Sequence, residues 1–237
     1  MLDRLAGEVQ RCGIVGRMIR TPRGEPVASP WQPRPLGEIL EQLRAAVSPP
    51  PGSPTILAVD GRSASGKSTM AARLAALAPG ATVVHSDDVA WWESFFGWDH
   101  LMRGGILEPL RRGDGVSYRP PAWDARGREG AIDVPAGVPL VVIEGVGVSR
   151  RSLGQLVDAA IWMQSDVHVA RRRGLERDGG TQADLDFWNA WDREEMRFLA
   201  DDRPWDRARV VLCGTPDLAD VTFDPGTEVL VGRTLRP

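Results

Sequence analysis

The run Gly61-Arg-Ser-Ala-Ser-Gly66-Lys67-Ser68-Thr69 constrains this chain more than any other stretch. It lies between a short apolar run, Thr55–Val59, and a helix-forming one, Met70–Leu77, so the chain has to turn from a strand into a helix through glycines. Glycines let the backbone curl until successive N–H groups point inward, and the helix that follows adds the positive end of its dipole. Such a turn is a cradle for phosphate oxygens. Gly61, Ser63, Ala64, Ser65, Gly66, Lys67, Ser68 and Thr69 are therefore expected to hold a nucleoside triphosphate, with Lys67 at the β- and γ-phosphates and the Ser68 hydroxyl on Mg²⁺. Composition reinforces the point, because of 29 basic residues 28 are Arg and Lys67 is the only Lys. On a surface either charge suffices, but a phosphate loop takes a compact ammonium on a slim stem and not a planar guanidinium.

Downstream, apolar runs recur at 82–85, 140–143, 160–163 and 210–213, separated by helix-length segments. Short strands that are apolar on both sides and alternate with helices imply an α/β domain whose mostly parallel sheet is covered on both faces. Upstream, Leu36, Ile39, Leu40 and Leu43 follow helical spacing, and the Pro-rich run Ser48 to Pro54 reads as a linker. The expected division is an N-terminal extension over 1–50, irregular to about residue 35 and carrying one short helix, and a main domain over 51–237.

The net charge of -3 argues against a nucleic-acid or membrane-surface partner, which would need a net basic face. No stretch approaches the ~20 apolar residues of a bilayer span. The charged start, with Asp3, Arg4 and Glu8, does not read as a signal peptide. Cys12 and Cys213 show neither disulfide nor zinc spacing, and His85, His100 and His168 share no metal-site spacing. A reducing, cytoplasmic setting follows. A GTPase would read guanine with an NKxD-type motif and so need a second Lys. A large ATPase motor would end a strand in Asp or Asp-Glu, whereas Leu140-Val-Val-Ile-Glu144-Gly145 ends in Glu-Gly.

The loop, the strand end His85-Ser86-Asp87-Asp88, the Glu144-Gly145 strand end and Arg173-x-x-x-Arg177-Asp178 together resemble the uridine kinase-like P-loop kinases, the superfamily that includes phosphoribulokinase and one type of pantothenate kinase. The resemblance covers residues 55 to 214. It implies a P-loop NTPase fold with a five-stranded, mostly parallel sheet flanked by helices, a helical lid over about 170–200, Mg-ATP as donor and a small-molecule acceptor. Carried over residue by residue, it implies that Asp87 takes the proton of the acceptor hydroxyl beside Asp88, and that Glu144 joins Ser68 at the metal. It also implies that Arg173 and Arg177 close over the transferring group. By the same likeness Trp123, Asp124 and Arg126 contact the acceptor, although Trp123 stands at a Tyr position and Gly174 where relatives carry Arg.

The residues themselves bear on these roles. Asp87 ends a strand, on the sheet edge where open α/β folds bind ligands, or else caps the next helix. Arg173 and Arg177 share one helix face, which either points into the site or is solvated. Between the Asp87 and Glu144 strands lie Trp91, Trp92, Phe95, Phe96, Trp98, Tyr118 and Trp123, of which one or two are expected to face the acceptor and the rest to pack in the core. A helix is expected over 97–110 with Leu101, Leu107 and Leu110 inward, and Trp188 and Trp191 are expected in core beneath the lid. The expected activity is ATP- and Mg-dependent phosphorylation of a hydroxyl on a nucleoside or similar acceptor. A nucleotide-dependent regulatory ATPase, or a kinase for a non-nucleoside metabolite or antibiotic, stays open, as does homo-oligomerisation.

Overall fold

The computed structural model describes residues 19–219 and 221–233; Cys12 and the rest of residues 1–18 lie outside the described residues. In chain order the strands are β1 (Gln32–Pro35), β2 (Thr55–Gly61), β3 (Thr82–His85), β4 (Val116–Tyr118), β5 (Ile132–Val134), β6 (Leu140–Glu144), β7 (Ala159–Gln164), β8 (Val210–Cys213) and β9 (Glu228–Arg233). The helices are α1 (Leu36–Ala45), α2 (Lys67–Ala76), α3 (Ser86–Val89), α4 (Asp99–Met102), α5 (Glu108–Arg111), α6 (Pro121–Ala125), α7 (Val167–Asp178) and α8 (Gln182–Asp202).

The main sheet has seven strands in the order β1-β9-β8-β7-β2-β6-β3, while β4 and β5 form a small antiparallel hairpin. Five of the seven, β3-β6-β2-β7-β8, are joined by parallel pairings; at one edge β9 pairs antiparallel with β8 and β1 antiparallel with β9, so that β9 alone opposes the direction of the rest. The expected five-stranded sheet is thus the parallel part of a wider one. Every residue of β2, β6 and β7 is buried. Leu57, Val59, Val142 and Ile161 point to one face with α1 and α2, and Ile56, Ala58, Val141 and Ile143 to the other with Trp98, Met102, Ile106 and Leu110. Period-2 alternation with apolar side chains on both faces is what a doubly covered parallel sheet requires. Helical structure over 99–111 is interrupted by a π-helical turn, Arg103–Leu107, and Leu107 and Leu110 are in the core as expected. Among the described residues no helix is long and apolar enough to cross a membrane.

The described part of the expected N-terminal extension is built into this domain. Leu36, Ile39, Leu40 and Leu43 belong to the same core as α2, and β1 pairs with β9. Its Pro33 and Pro35 sit on an edge strand, where a missing N–H costs least. Over residues 19–31 the chain forms neither helix nor strand, yet it is anchored. Arg20 N–H donates to Asp166 Oδ2 (3.0 Å), and Ala28 N–H to Gln164 Oε1 (2.8 Å). Glu25 is buried and accepts from Trp162 Nε1 (2.7 Å) and Gln164 Nε2 (2.6 Å).

Burial pushes the Glu25 carboxyl up to about 7, against the downward pull of its two donors and of Arg62, with Glu195 adding to the rise. The folded protein therefore keeps this proton where the unfolded chain has lost it, so stability falls as pH rises from the ordinary value of 4.5 to about 7. The loss is at most about 3 kcal/mol. Glu25→Gln is expected to flatten the urea-unfolding free energy across that window; an unchanged pH slope would contradict the assignment.

Candidate functional site

The parallel strands deliver their C-terminal ends to one edge, where β2 is flanked by β6 and β7 while the next strand, β3, lies beyond β6. Ligands bind at such a switch of direction in open α/β sheets. In register, Val59, Glu144 and His85 form one row across β2, β6 and β3. The chain leaves β2 through a loop with left-handed or positive-φ backbone at Gly61, Ala64 and Gly66 and enters α2 at Lys67. The first amides of α2 have no intrahelical acceptor, and no acidic residue lies in its first turn. That end is consequently electropositive and open to an anion. Lys67 is buried, and its Nζ donates to Arg62 O (2.8 Å), leaving two further N–H donors for a ligand.

Not every loop amide expected to bind phosphate is available. Gly61 N–H donates to Asp60 Oδ1 (2.7 Å), Ser65 N–H to Arg62 O (3.1 Å) and Ser63 N–H to Glu195 Oε1 (2.8 Å). These three bonds shape the loop from within, so the anion-facing part narrows to Ala64 and Gly66–Thr69. Asp60, wholly buried, also accepts from Gly147 N, Ser149 N and Ser149 Oγ, and so ties the segment after β6 to β2. Burial raises its pKa against these hydrogen bonds.

Beside the loop, Ser68 Oγ donates to Glu144 Oε1 (3.1 Å), and the His85 ring Nδ1 lies 2.6 Å from the same oxygen. Burial pushes Glu144 up, but the His85 hydrogen bond, the Lys67 charge and Ser68 together outweigh it and hold the carboxyl below its ordinary value. His85 is raised in turn, chiefly by that hydrogen bond. Asp87, in the first turn of α3, is reached by solvent through the cavity, yet its enclosing walls raise its pKa. Glu144 adds to the rise, while Lys67, Arg177 and His85 oppose it. Gly145, at φ +146°, leaves room for Ser86, whose Oγ would lie 1.7 Å from a Cβ there.

α7 and α8 form a hairpin over this edge. Asp166 caps α7 by accepting from His168 N and Val169 N, α7 stops at left-handed Gly179, and Thr181 with Asp184 makes a capping box for α8. Arg171 pairs with Asp192 across the hairpin, and Arg173 donates to Gly214 O (2.8 Å). Gly174 is explained by packing: a Cβ would lie 2.0 Å from the Trp188 ring, whose Nε1 donates to Asp178 Oδ2 (2.9 Å). From the far end of α8, Glu195, wholly buried, accepts from Arg62 Nη2 (2.9 Å) and Nε (3.1 Å) as well as from Ser63 N. The hairpin and the glycine loop are thereby one mechanical unit.

A cavity of about 920 Å³ brings together Lys67, Ser68, Asp87, Glu144, Arg173 and Arg177 with a wall of aromatic rings. Trp188 and Trp191, expected only as core, line it as well. Asp88, Trp123, Asp124 and Arg126 do not. Trp123 is buried in the core and donates to Asp88 O, Asp88 pairs with Arg128, and Asp124 pairs with Arg119 (2.8 Å). Arg126 instead stacks on the Trp92 ring at 3.7 Å. His85, Glu195 and Asp60 are residues that sequence reasoning missed.

Ser68 and Glu144 are hard oxygen donors, which suits Mg²⁺, an ion that keeps several waters and takes few protein ligands. Among the described residues no group of three or more His, Cys, Asp or Glu could form an all-protein metal cage.

No family model and no curated protein matches this sequence. Among solved structures, the chain is similar to a candidate fructose transport system kinase of Silicibacter sp. TM1040 (21% identity, TM-score 0.49, covering 74% of this chain and 95% of that one). It is also similar to a possible uridine kinase of Bacillus stearothermophilus (17%, 0.48, 74% and 96%) and to TT1252 of Thermus thermophilus (20%, 0.42, 71% and 92%). Likeness at this level says nothing of chemistry, which rests on the side chains themselves.

Glu195→Ala leaves the Arg62 guanidinium buried without its two short hydrogen bonds, with Asp192 at 3.6 Å and Glu25 within electrostatic reach. The expected cost is about 3 kcal/mol in urea unfolding; a change near zero would contradict the coupling of loop and hairpin.

Proposed function

We propose that this protein is an ATP- and Mg²⁺-dependent phosphotransferase that moves the γ-phosphoryl group to a hydroxyl of a small molecule. The observation that carries this reading is the one cavity shared by the open N-terminus of α2, Lys67, the Ser68–Glu144 pair, Asp87 and the two arginines of α7. A pure nucleotide switch has no need of a carboxylate and two guanidiniums converging there.

In this reading the amides of Gly66 to Thr69 and the Lys67 ammonium hold the β- and γ-phosphates. Ser68 and Glu144 hold Mg²⁺, which when bound draws charge from the phosphate oxygens. Glu144, kept ionised by His85 and Lys67, is ready for that task. Asp87 accepts the proton of the acceptor hydroxyl and orients its oxygen toward phosphorus. Its raised pKa brings it closer to working pH than an ordinary carboxylate and makes it a better base. Arg173 and Arg177 neutralise charge on the moving group once they leave Gly214 and Asp178. Catalysis in this reading is mainly positioning and charge stabilisation.

The nucleoside acceptor suggested by sequence loses the support of Trp123, Asp124 and Arg126, which face elsewhere. On the donor side Lys67, Ser68, Thr69, Asp87, Glu144, Arg173 and Arg177 line the cavity.

Asp87→Asn is expected to bind an ATP analogue as wild type does while phosphoryl transfer falls about 10²–10⁴-fold. Equal turnover in that variant would remove Asp87 from the mechanism. Lys67→Arg preserves charge, yet transfer is expected to drop at least about tenfold because the guanidinium does not fit the loop; wild-type rates there would contradict the role of Lys67.

A further inference from the structure

Away from its charged end the cavity is walled by rings. Trp91 and Trp92 meet edge to face with centroids 6.1 Å apart, and Phe95 meets Trp191 (5.1 Å) and Phe187 (5.8 Å) in the same way. Trp92 is 63% exposed and Phe187 51%, and both line the cavity. Large rings left in water at a cavity wall are costly unless a ligand covers them. The Arg126 guanidinium stacks on the Trp92 ring, 3.7 Å from its centroid.

Polar groups are scarce in the same region. Beyond the glycine loop and the α7 arginines, the polar side chains lining the cavity among the described residues are Ser86, Asp87, Glu93, Glu144 and the indole N–H groups. Glu144 is engaged by Ser68 and His85. The indole of Trp98 is spent on Phe95 O (3.1 Å), and that of Trp188 on Asp178. The nearby carboxylates that could hold sugar hydroxyls, Asp88 and Asp124, are paired with Arg128 and Arg119 and lie outside. Glu93 and the indole N–H of Trp191, which has no hydrogen-bond partner, are the groups left among the rings, so a polyol or sugar with more hydroxyls than these can serve would bury the rest without partners, at about 1–3 kcal/mol each. A flat ring bearing one hydroxyl would meet ring faces along its length and a base at its end.

Resting on the phosphotransfer reading above, we infer that the acceptor is an aromatic alcohol, its ring held against Trp91, Trp92, Phe95, Phe187 and Trp191 and its hydroxyl at Asp87. In the reaction the bond from γ-phosphorus to the nucleoside diphosphate oxygen breaks and the bond from the alcohol oxygen to phosphorus forms. The alcohol proton passes to Asp87. The products are an aryl-bearing phosphomonoester and the nucleoside diphosphate.

Calorimetry on the full chain tests this, with 2-naphthylmethanol, uridine and glycerol titrated without nucleotide and a non-hydrolysable ATP analogue titrated with Mg²⁺. Naphthylmethanol is expected to bind and the polyols not. Trp92→Ala and Phe187→Ala, both at exposed positions that folding tolerates, are expected each to weaken it about tenfold. The affinity for the ATP analogue should stay within about twofold in both variants. Binding of uridine or glycerol but not naphthylmethanol would overturn the inference, as would naphthylmethanol affinity indifferent to both substitutions. Naphthylmethanol binding as expected, with no binding of the ATP analogue, would instead overturn the phosphotransfer reading and leave the ring-walled site standing.

Discussion

The turn from β2 into α2 is the constraint on which the rest of the structure depends. A buried, seven-residue strand must become a ten-residue helix within a few residues while keeping a row of amides aimed outward. Three loop amides are spent inside, on Asp60, Arg62 and Glu195, and these bonds hold the remaining ones in position. Left-handed backbone at Ala64 costs on the order of 1 kcal/mol, and a surrounding that over-determines the loop is what sustains it. Lys67 closes on Arg62 O and is held against the loop.

From that turn the two halves of the cavity acquire different physics. At the sheet edge, charges are close enough to tune one another. His85 and Lys67 keep Glu144 ionised, and the enclosing walls together with Glu144 raise Asp87. Beyond α3 the wall becomes rings whose interactions are weakly directional and tolerant of a flat guest. The α7–α8 hairpin belongs to both halves: α7 brings Arg173 and Arg177, and α8 brings Phe187, Trp188 and Trp191. Its grip on the loop through Glu195 makes movement of either half felt by the other.

Much of this was legible in the sequence. The parallel strands were readable because residues buried on both faces leave uninterrupted apolar runs, and the loop because its glycines, Lys67 and Ser68 have fixed spacing. β1 was not readable, since Pro33 and Pro35 speak against a strand unless it lies on an edge, and edge position is a property of the whole sheet. Sequence spacing also gave no sign of His85 with Glu144, because their contact comes from the register of β3 against β6. Glu195 with Arg62 spans 133 residues, beyond any local pattern. The segment around Trp123 and Asp124 misled for a related reason: similarity of residue type carried no information about Arg119 and Arg128, which take those carboxylates and rings for themselves.

In the proposed reaction the terminal phosphoryl group goes to an alcohol and not to water. Phosphorus NMR of the wild-type protein with Mg-ATP and a mixture of aromatic alcohols and nucleosides tests it most directly. A new phosphomonoester resonance growing in step with ADP is expected; ADP accompanied only by inorganic phosphate, at a rate indifferent to any alcohol present, would rule out transfer to an alcohol.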